Sequence, residues 1–148
     1  MPTPKNRFPV PLPDEPGHLI RRAQQHAVAC FHAVHGRGVT PIQYAILRTL
    51  QDAPGIDQVT LAQKIALDTS TTADIATRLE ARGWIVRAML PRRQRSLTLS
   101  AQGQELLDAL SPGVQRVTAD VLQALDAGER DEFMRLLRKL VGSTAAAS

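Results

Sequence analysis

The sequence predicts a mainly α-helical fold with one small β-hairpin, built as a single compact domain. Its 148 residues are about one domain's worth of chain. Hydrophobic residues make up 43% but aromatic residues only 3%, a composition typical of a helical protein rather than of a β-sandwich. Apolar residues recur every three or four positions through most of the chain, and only two short runs, 84–86 and 97–99, favour strands.

Composition also excludes several classes of protein. No apolar run approaches the roughly 20 residues of a membrane span, and the first residues lead into prolines instead of a signal-peptide core. Cys30 is the only cysteine, which rules out a disulfide within one subunit and a multi-cysteine zinc site. We therefore expect a cytoplasmic protein with no membrane partner.

The first 38 residues divide into an arm and a helix. Six of the ten prolines precede residue 17, so residues 1–16 are predicted to form an extended arm. Apolar residues at helical spacing follow from Leu19 to Val34 and stop at Gly36 and Gly38. The first helix is therefore predicted within 17–38.

A second helix is signalled by a capping box. Thr40 offers its hydroxyl as an N-cap, Pro41 suits the first helical position, and Gln43 reaches back to the cap. The apolar pattern then continues to Leu50 and stops at Pro54.

Two short helices in tandem are predicted next. Thr60 and Gln63 repeat the capping-box spacing and open the first of them. Thr71 and Asp74 give a third start signal after a turn, and Gly83 supplies the left-handed residue that ends the second helix.

The remaining chain is predicted to form a hairpin followed by helices. The two β-prone runs are separated by Pro91 and several arginines, which indicates a hairpin with a charged tip. A long helical pattern follows Ser100 and should be kinked or split at 111–113, and Asp126 with Glu129 caps a last helix. We predict that 143–148 is a frayed tail.

Positive charge is concentrated in one part of the chain. The net charge is +4, and the stretch from Ser70 to Ser100 alone has six arginines against two acids, Asp74 and Glu80, so all of the excess lies there. This distribution is expected if that stretch meets phosphate.

The order of elements, two short helices followed by a hairpin with an arginine-rich tip, is that of a winged helix-turn-helix. In that fold the second helix enters the major groove of double-stranded DNA. Two alternatives remain: a helical bundle with a solvated basic loop, and a winged-helix module whose arginines bind an acidic protein surface.

Several segments resemble the MarR (multiple-antibiotic-resistance regulator) family over about residues 16–141. They are Thr40-Pro41-Ile42-Gln43-Tyr44-Ala45-Ile46-Leu47, Leu61-Ala62 with Ile65-Ala66, Arg78-Leu79-Glu80-Ala81-Arg82-Gly83-Trp84-Ile85, and Leu97-Thr98-Leu99-Ser100 with Gly103. The resemblance implies a homodimer built by the first and last helices (17–38 and 101–142), with 39–100 as the DNA-binding lobe. It also implies a repressor that a small ligand releases from its operator.

Two details refine the resemblance. Residues 54–58 are similar to a branch whose members regulate aromatic-acid catabolism. The family's hairpin usually carries Asp-x-Arg; here Arg93 matches the arginine, but Pro91 stands in place of the aspartate.

The candidate DNA-binding residues lie on the second short helix and at the hairpin tip. They are Ser70, Thr71, Thr72, Asp74 and Arg78 on the helix, and Arg92, Arg93 and Arg95 at the tip. Hydroxyls suit phosphates or base edges, and guanidinium groups suit phosphates, guanine and narrow minor grooves. The tip could instead be a solubilising loop, and Thr71 and Asp74 could be occupied as helix caps. In a dimer the operator should be an imperfect palindrome with half-sites about 10–10.5 base pairs apart.

The candidate effector-binding residues are polar groups on or beside an otherwise apolar helix pair. They are His18, Arg22, Gln25, His26, Tyr44 and Asp57. An aromatic carboxylate requires an arginine, neutral donors and an apolar slot, so Arg22 is the predicted anchor. The alternative is that Arg22 and His26 are surface or dimer-interface residues and that Tyr44 belongs to the core.

Other chemistries find less support. Cys30 could sense peroxide, but it lies in an apolar stripe with no adjacent cation, which favours a packing role. His26 with Cys30, and His32 with His35, could each supply only two metal ligands. Phosphate-binding and hydrolase motifs are absent. We therefore expect no enzyme activity, no cofactor and no bound metal.

Overall fold

The computed structural model describes residue 1 and residues 7–142, apart from the side chain of Arg93. The elements are α1 (Pro16–His35), α2 (Pro41–Asp52), β1 (Ile56–Asp57), α3 (Gln58–Lys64), α4 (Thr69–Ala81), β2 (Ile85–Met89), β3 (Arg95–Leu99), α5 (Ala101–Leu110), α6 (Val114–Val121) and α7 (Ala127–Val141). The predicted fold class, mainly helical with a small antiparallel sheet, is confirmed.

The N-terminal arm is less extended than predicted. Its described part contains bends and a short 3-10 turn, Leu12–Asp14, before α1 begins at Pro16. Residues 2–6 of the arm and the predicted tail, 143–148, lie outside the described residues. Across the described ranges, we find no helix with the length and apolar character that crossing a membrane requires.

The cap of α2 is the one predicted, but the caps of the two short helices are not. The capping box of Thr40 and Gln43 is complete. In α3 and α4, however, Asp57 and Asp68 are the N-caps, and their carboxylates accept the backbone N–H of Thr60 and of Thr71. The predicted threonine caps are therefore wrong. Each threonine lies three residues after an aspartate, so the true helix start falls three residues earlier than the threonine suggests.

The predicted hairpin is confirmed, with one additional strand. β2 and β3 pair antiparallel, with Ile85 opposite Leu99 and Met89 opposite Arg95. β1 pairs with the other edge of β3, which gives the order β1-β3-β2. Because β1 has only two residues, it is too short to show an alternating pattern in the sequence. We call β2, β3 and their connecting loop, 85–99, the wing.

The core consists of two hydrophobic clusters, of which the larger joins the wing to the helices. The larger cluster buries side chains of α2, α3, α4, the sheet and α5: Ile46, Leu47, Leu50, Leu61, Ala76, Leu79, Ile85, Leu97 and Leu107. The smaller cluster is formed by Phe31, Val39 and Leu110. Tyr44 and Trp84 pack against both clusters. The end of α1 and the segment from α2 to the wing are therefore held together by shared side chains.

The predicted break after α5 and the predicted cap of the last helix are both confirmed. A 3-10 turn, Ser111–Gly113, separates α5 from α6, and Asp126 with Glu129 forms the capping box of α7. Side chains of α7 form an apolar stripe that remains exposed in the single chain: Phe133, Leu136, Leu137 and Leu140. The stripe faces an open groove that Leu19 and Ile20 of α1 also line.

Candidate DNA-binding surface and effector site

One face of α4 presents polar side chains to solvent. Ser70, Thr71, Asp74 and Arg78 are all exposed, and positions separated by three or four residues share one face of a helix. Four of the five α4 residues predicted to contact DNA are therefore brought together on one accessible surface.

Thr72 is the exception, and its predicted role in DNA contact is wrong. Its side chain is 0% exposed, and its hydroxyl donates to the carbonyl oxygen of Asp68 at 2.9 Å. Thr72 lies four residues before Ala76 and seven before Leu79, both fully buried, which places it on the core face of α4. A signal was present in the sequence, because Thr72 continues the apolar period of this helix.

Asp68 fixes the start of α4. Its carboxylate accepts the backbone N–H of Thr71 at 2.8 Å. Hydrogen bonds from the side chain and backbone of Thr71 lower the pKa of Asp68 below its usual value. The predicted alternative that Thr71 caps the helix is therefore wrong, since Asp68 is the cap and Thr71 donates to it. Asp74 lies within the helix and does not cap it.

The tip of the wing presents arginines at a tight turn. Residues 91–93 form a 3-10 turn, and the backbone N–H of Leu90 donates to the carbonyl of Gln94 at 2.6 Å. Arg92 adopts a left-handed conformation (φ 65°) that is uncommon outside glycine. The side chains of Arg92 and Arg95 are exposed. The side chain of Arg93, the strongest candidate in the sequence, lies outside the described residues.

Five of the six arginines between Ser70 and Ser100 have described side chains, and two of these five are engaged within the protein. Arg82 donates to the carbonyl of Gly38 at 2.7 Å, and its guanidinium lies 3.9 Å from the centre of the Trp84 ring. Arg87 is bound by Glu80 in a salt bridge of 3.1 Å. The interactions of Arg82 and of Arg87 could not be predicted from the sequence, because only the fold brings each arginine next to its partners. The remaining arginines with described side chains in this stretch are those that the sequence predicts to contact DNA. The described part of the structure shows no hydrogen bond, salt bridge or ring contact for these side chains.

The predicted effector residues fall into separate groups within one subunit. His18, Arg22, Gln25 and His26 share the N-terminal half of α1, and Arg22 and Gln25 are exposed. The His18 ring is 3.4 Å from the Arg21 guanidinium. The Nε2 atom of His26 is 3.0 Å from the carbonyl oxygen of Val121, so it donates a hydrogen bond to α6.

Tyr44 lies at the other end of α1. Its ring centre is 5.6 Å from that of Phe31 and 6.3 Å from that of His35, and burial lowers the pKa of His35. Phe31 comes nine residues after Arg22, which is about 13 Å along the helix axis. Tyr44 and Arg22 therefore do not meet within one subunit.

The polar partner of Tyr44 was not predicted. Arg48, one helical turn further along α2, donates from Nη1 to the Tyr44 hydroxyl at 3.0 Å. The i, i+4 spacing of the two residues was the available signal. Asp57 is occupied as the N-cap of α3, where Thr60 donates both its N–H and its hydroxyl to it. These bonds lower the pKa of Asp57.

Cys30 and His26, which were considered for redox or metal chemistry, lie side by side on α1. Cys30 is half-buried, and its sulfur lies 3.9 Å from the His26 ring. Over residues 7–142, no three or more histidine, cysteine, aspartate or glutamate side chains come together as a metal site would require. The redox alternative for Cys30 stays a prediction.

Comparison with known proteins identifies similar regulators. The model of the MarR family matches residues 39–97. The HTH-type transcriptional repressor NicR of Pseudomonas putida is 32% identical over 143 residues, covering 95% of this chain and 90% of NicR. The crystal structure of the PcaV transcriptional regulator of Streptomyces coelicolor with its natural ligand has a TM-score of 0.83 at 32% identity, covering 91% of this chain and 97% of that one.

A further solved structure, of Bordetella bronchiseptica BpsR, superimposes with a TM-score of 0.85 at 28% identity. It covers 92% of this chain and all of that one. The DNA binding of BpsR is regulated by 6-hydroxynicotinic acid.

Proposed function

Because this chain belongs to the MarR family of transcriptional regulators, we propose that it is a homodimeric repressor released from DNA by a small aromatic carboxylate. The family makes it a regulator and not an enzyme. The observation that carries the proposal is that exposed α4 side chains and exposed wing arginines occur in one lobe, whereas an apolar stripe is left exposed on α7.

DNA recognition is assigned to α4 and the wing. In a winged helix-turn-helix the second helix of the motif lies in the major groove, and in this chain that helix is α4. Ser70, Asp74 and Arg78 then face base edges or phosphates, while Arg92 and Arg95 of the wing reach the neighbouring backbone or minor groove. Arg93 is included on the strength of its position in the sequence.

The dimer is assigned to α1 and α7. Side chains such as Leu136, 47% exposed, and Leu140, 65% exposed, leave an apolar area that is costly in water. A second copy related by a two-fold axis would cover it with the same surface. It would also place two α4 helices one turn of DNA apart, so the operator should be a palindrome with half-sites about 10–10.5 base pairs apart.

Mobility shift and footprinting with the intergenic DNA upstream of the gene test this assignment. Arg93→Ala should weaken operator binding more than tenfold and lower the slope of log K against log salt by about 0.9 for each lost phosphate contact. Arg116→Ala, which removes an arginine of α6 that pairs with Asp120 outside the DNA-binding lobe, serves as the control. Unchanged affinity and slope for Arg93→Ala would refute the wing assignment.

The effector is proposed to be a small aromatic or heteroaromatic carboxylate, or its thioester. BpsR, which shares the fold closely, responds to 6-hydroxynicotinic acid. On this chain Arg22 is an exposed cation on α1 suited to a carboxylate. Since Arg22 and Tyr44 are far apart within one subunit, a site using both would need residues from two subunits. A coupling of about 1–3 kcal/mol between effector and DNA would suffice for regulation.

Calorimetry with 6-hydroxynicotinate and with hydroxylated benzoates and cinnamates tests the effector site. Arg22→Ala should reduce affinity for the compound that releases the operator. Arg116→Ala, which removes an exposed arginine of α6, should leave it unchanged. If Arg22→Ala binds that compound as tightly as the wild type, Arg22 is not its anchor.

A further inference from the structure

The carboxylate of Glu80 lies in an electrostatically unfavourable position. It lies in the last turn of α4, next to the negative end of the helix dipole. It is also the acid closest in sequence to the wing, within a stretch whose arginines are proposed to meet phosphate. A negative charge at this position should weaken DNA binding by repelling phosphate, unless the contacts that Glu80 makes within the protein favour binding.

Both oxygens of Glu80 are used to hold one residue of the wing. Oε2 accepts the backbone N–H of Arg87 at 3.1 Å, and Oε1 accepts Nη2 of the same residue at 3.1 Å. Arg87 lies at the middle of β2, opposite Leu97 of β3. β2 is an edge strand, so Glu80 satisfies a backbone donor that the sheet leaves unpaired.

The guanidinium of Arg87 is turned inward. Its side chain is only 11% exposed, and its Nε atom is buried without a hydrogen-bond partner among the described residues, whereas the side chain of Glu80 is 41% exposed. A guanidinium in this position is neutralised within the protein and is poorly placed to bind phosphate. Arg87 thus differs from Arg92 and Arg95, whose side chains are exposed.

We propose that Glu80 is a positioning residue for DNA binding: by binding both the backbone and the side chain of Arg87, it fixes the wing relative to α4. This inference rests on the proposed function, since it matters only if α4 and the wing bind one DNA molecule together. The wing meets α4 through β2, so the angle of the whole hairpin, and with it the reach of Arg92 and Arg95, depends on this junction.

The sign of the effect of Glu80→Gln on operator affinity provides the test. If Glu80 were only a surface charge, its neutralisation would tighten binding, because a negative charge near phosphate is removed. If Glu80 positions the wing, the same change weakens binding, by about fivefold or more. Glu80→Asp keeps the charge but shortens the side chain, and it should also weaken binding.

A salt titration of Arg87→Gln supplies a second readout. If Arg87 itself bound phosphate, Arg87→Gln would lower the slope of log K against log salt by about 0.9 and Glu80→Gln would not; if the pair positions the wing, both variants lose the same wing contacts and change the slope equally. Asp108→Asn, which neutralises an exposed acid of α5 that accepts a hydrogen bond from Gln104, is the control. In the double variant Glu80→Gln/Arg87→Gln, the loss of affinity should not exceed that of the larger single variant.

The outcomes distinguish a failure of the proposed function from a failure of the positioning role of Glu80. If the wild-type protein does not retard the operator fragment, the proposed function fails. If the wild type binds but Glu80→Gln binds equally or more tightly, or if Arg87→Gln lowers the salt slope and Glu80→Gln does not, the positioning role is overturned. Circular dichroism of each variant excludes unfolding as the cause of a loss, and footprint protection should be lost first at the DNA flanks that the wing covers.

Discussion

Replacing Gly103 by alanine tests the closest approach between α5 and the wing. Gly103 is in the first turn of α5, where its N–H donates to the N-cap Ser100. A Cβ at this position would lie 2.1 Å from the carbonyl oxygen of Trp84 and 2.7 Å from Cδ1 of Leu99. Since the nearer atom belongs to the backbone, the start of the wing would have to move by roughly 1 Å to restore normal contact, and such overpacking costs about 1–3 kcal/mol.

Helix propensity favours alanine over glycine at this position and therefore opposes the steric effect. Alanine is about 1 kcal/mol better than glycine inside a helix, so the clash must exceed that gain for the variant to be destabilised. Because the contact is with backbone, we expect a net loss of about 1–2 kcal/mol, or a fall in Tm of roughly 2–8 °C for a chain of this size.

Gly128 of α7 is the matched control. A Cβ there would meet only Oδ1 of Asp126 at 3.6 Å, an ordinary contact, so Gly128→Ala should stabilise the protein by about 0.4–1 kcal/mol. Urea denaturation followed by far-UV circular dichroism measures both variants at one protein concentration, since the stability of the proposed dimer would depend on concentration. If Gly103→Ala were as stable as the wild type or more stable, the close approach of α5 to Trp84 would be refuted.

Two further predictions concern the helix cap and the dimer. The pKa of Asp68 is lowered in the folded state, so its stabilising contribution is complete above the pKa of an unfolded aspartate, about 3.9, and is lost as the pH falls through the folded value. Asp68→Asn should therefore show a smaller loss of stability on acidification than the wild type, as measured by urea denaturation at a series of pH values, with Asp74→Asn as the control. Leu136→Asp places a charge in the exposed apolar stripe of α7 and should give a monomer in size-exclusion chromatography with light scattering, with operator retardation lost. A stable dimer of this variant would show that α7 is not the interface.

Local signals in the sequence were sufficient for most of the secondary structure. The box of Thr40 and Gln43, the interruption at 111–113 and the box of Asp126 and Glu129 were all found where predicted, because each depends on residues close together in the chain. The caps of the two short helices were misplaced for a local reason as well. Aspartate and threonine both serve as N-caps, and here they alternate at the same three-residue spacing.

The candidate site was predicted less completely, because exposure depends on the rotation of a helix against its neighbours. The sequence placed all eight DNA-binding candidates on α4 or the wing, but only the structure shows that Thr72 faces the core. It likewise shows that Tyr44 of α2 packs against the C-terminal end of α1, whereas Arg22 lies nearer its N-terminal end. Their shared polarity does not reveal this separation.

By itself, the sequence determined the fold class and the concentration of positive charge between Ser70 and Ser100, since these follow from periodicity, capping residues and composition. The family followed from segments of the chain that resemble it. Only the tertiary structure decided which of those charges are available. Arg82 is held by Gly38 and Trp84, and Arg87 is held by Glu80. The physical reason is that a guanidinium is held by the carboxylates, carbonyl oxygens and aromatic rings that the fold brings next to it, and such neighbours come from parts of the chain that no local pattern connects.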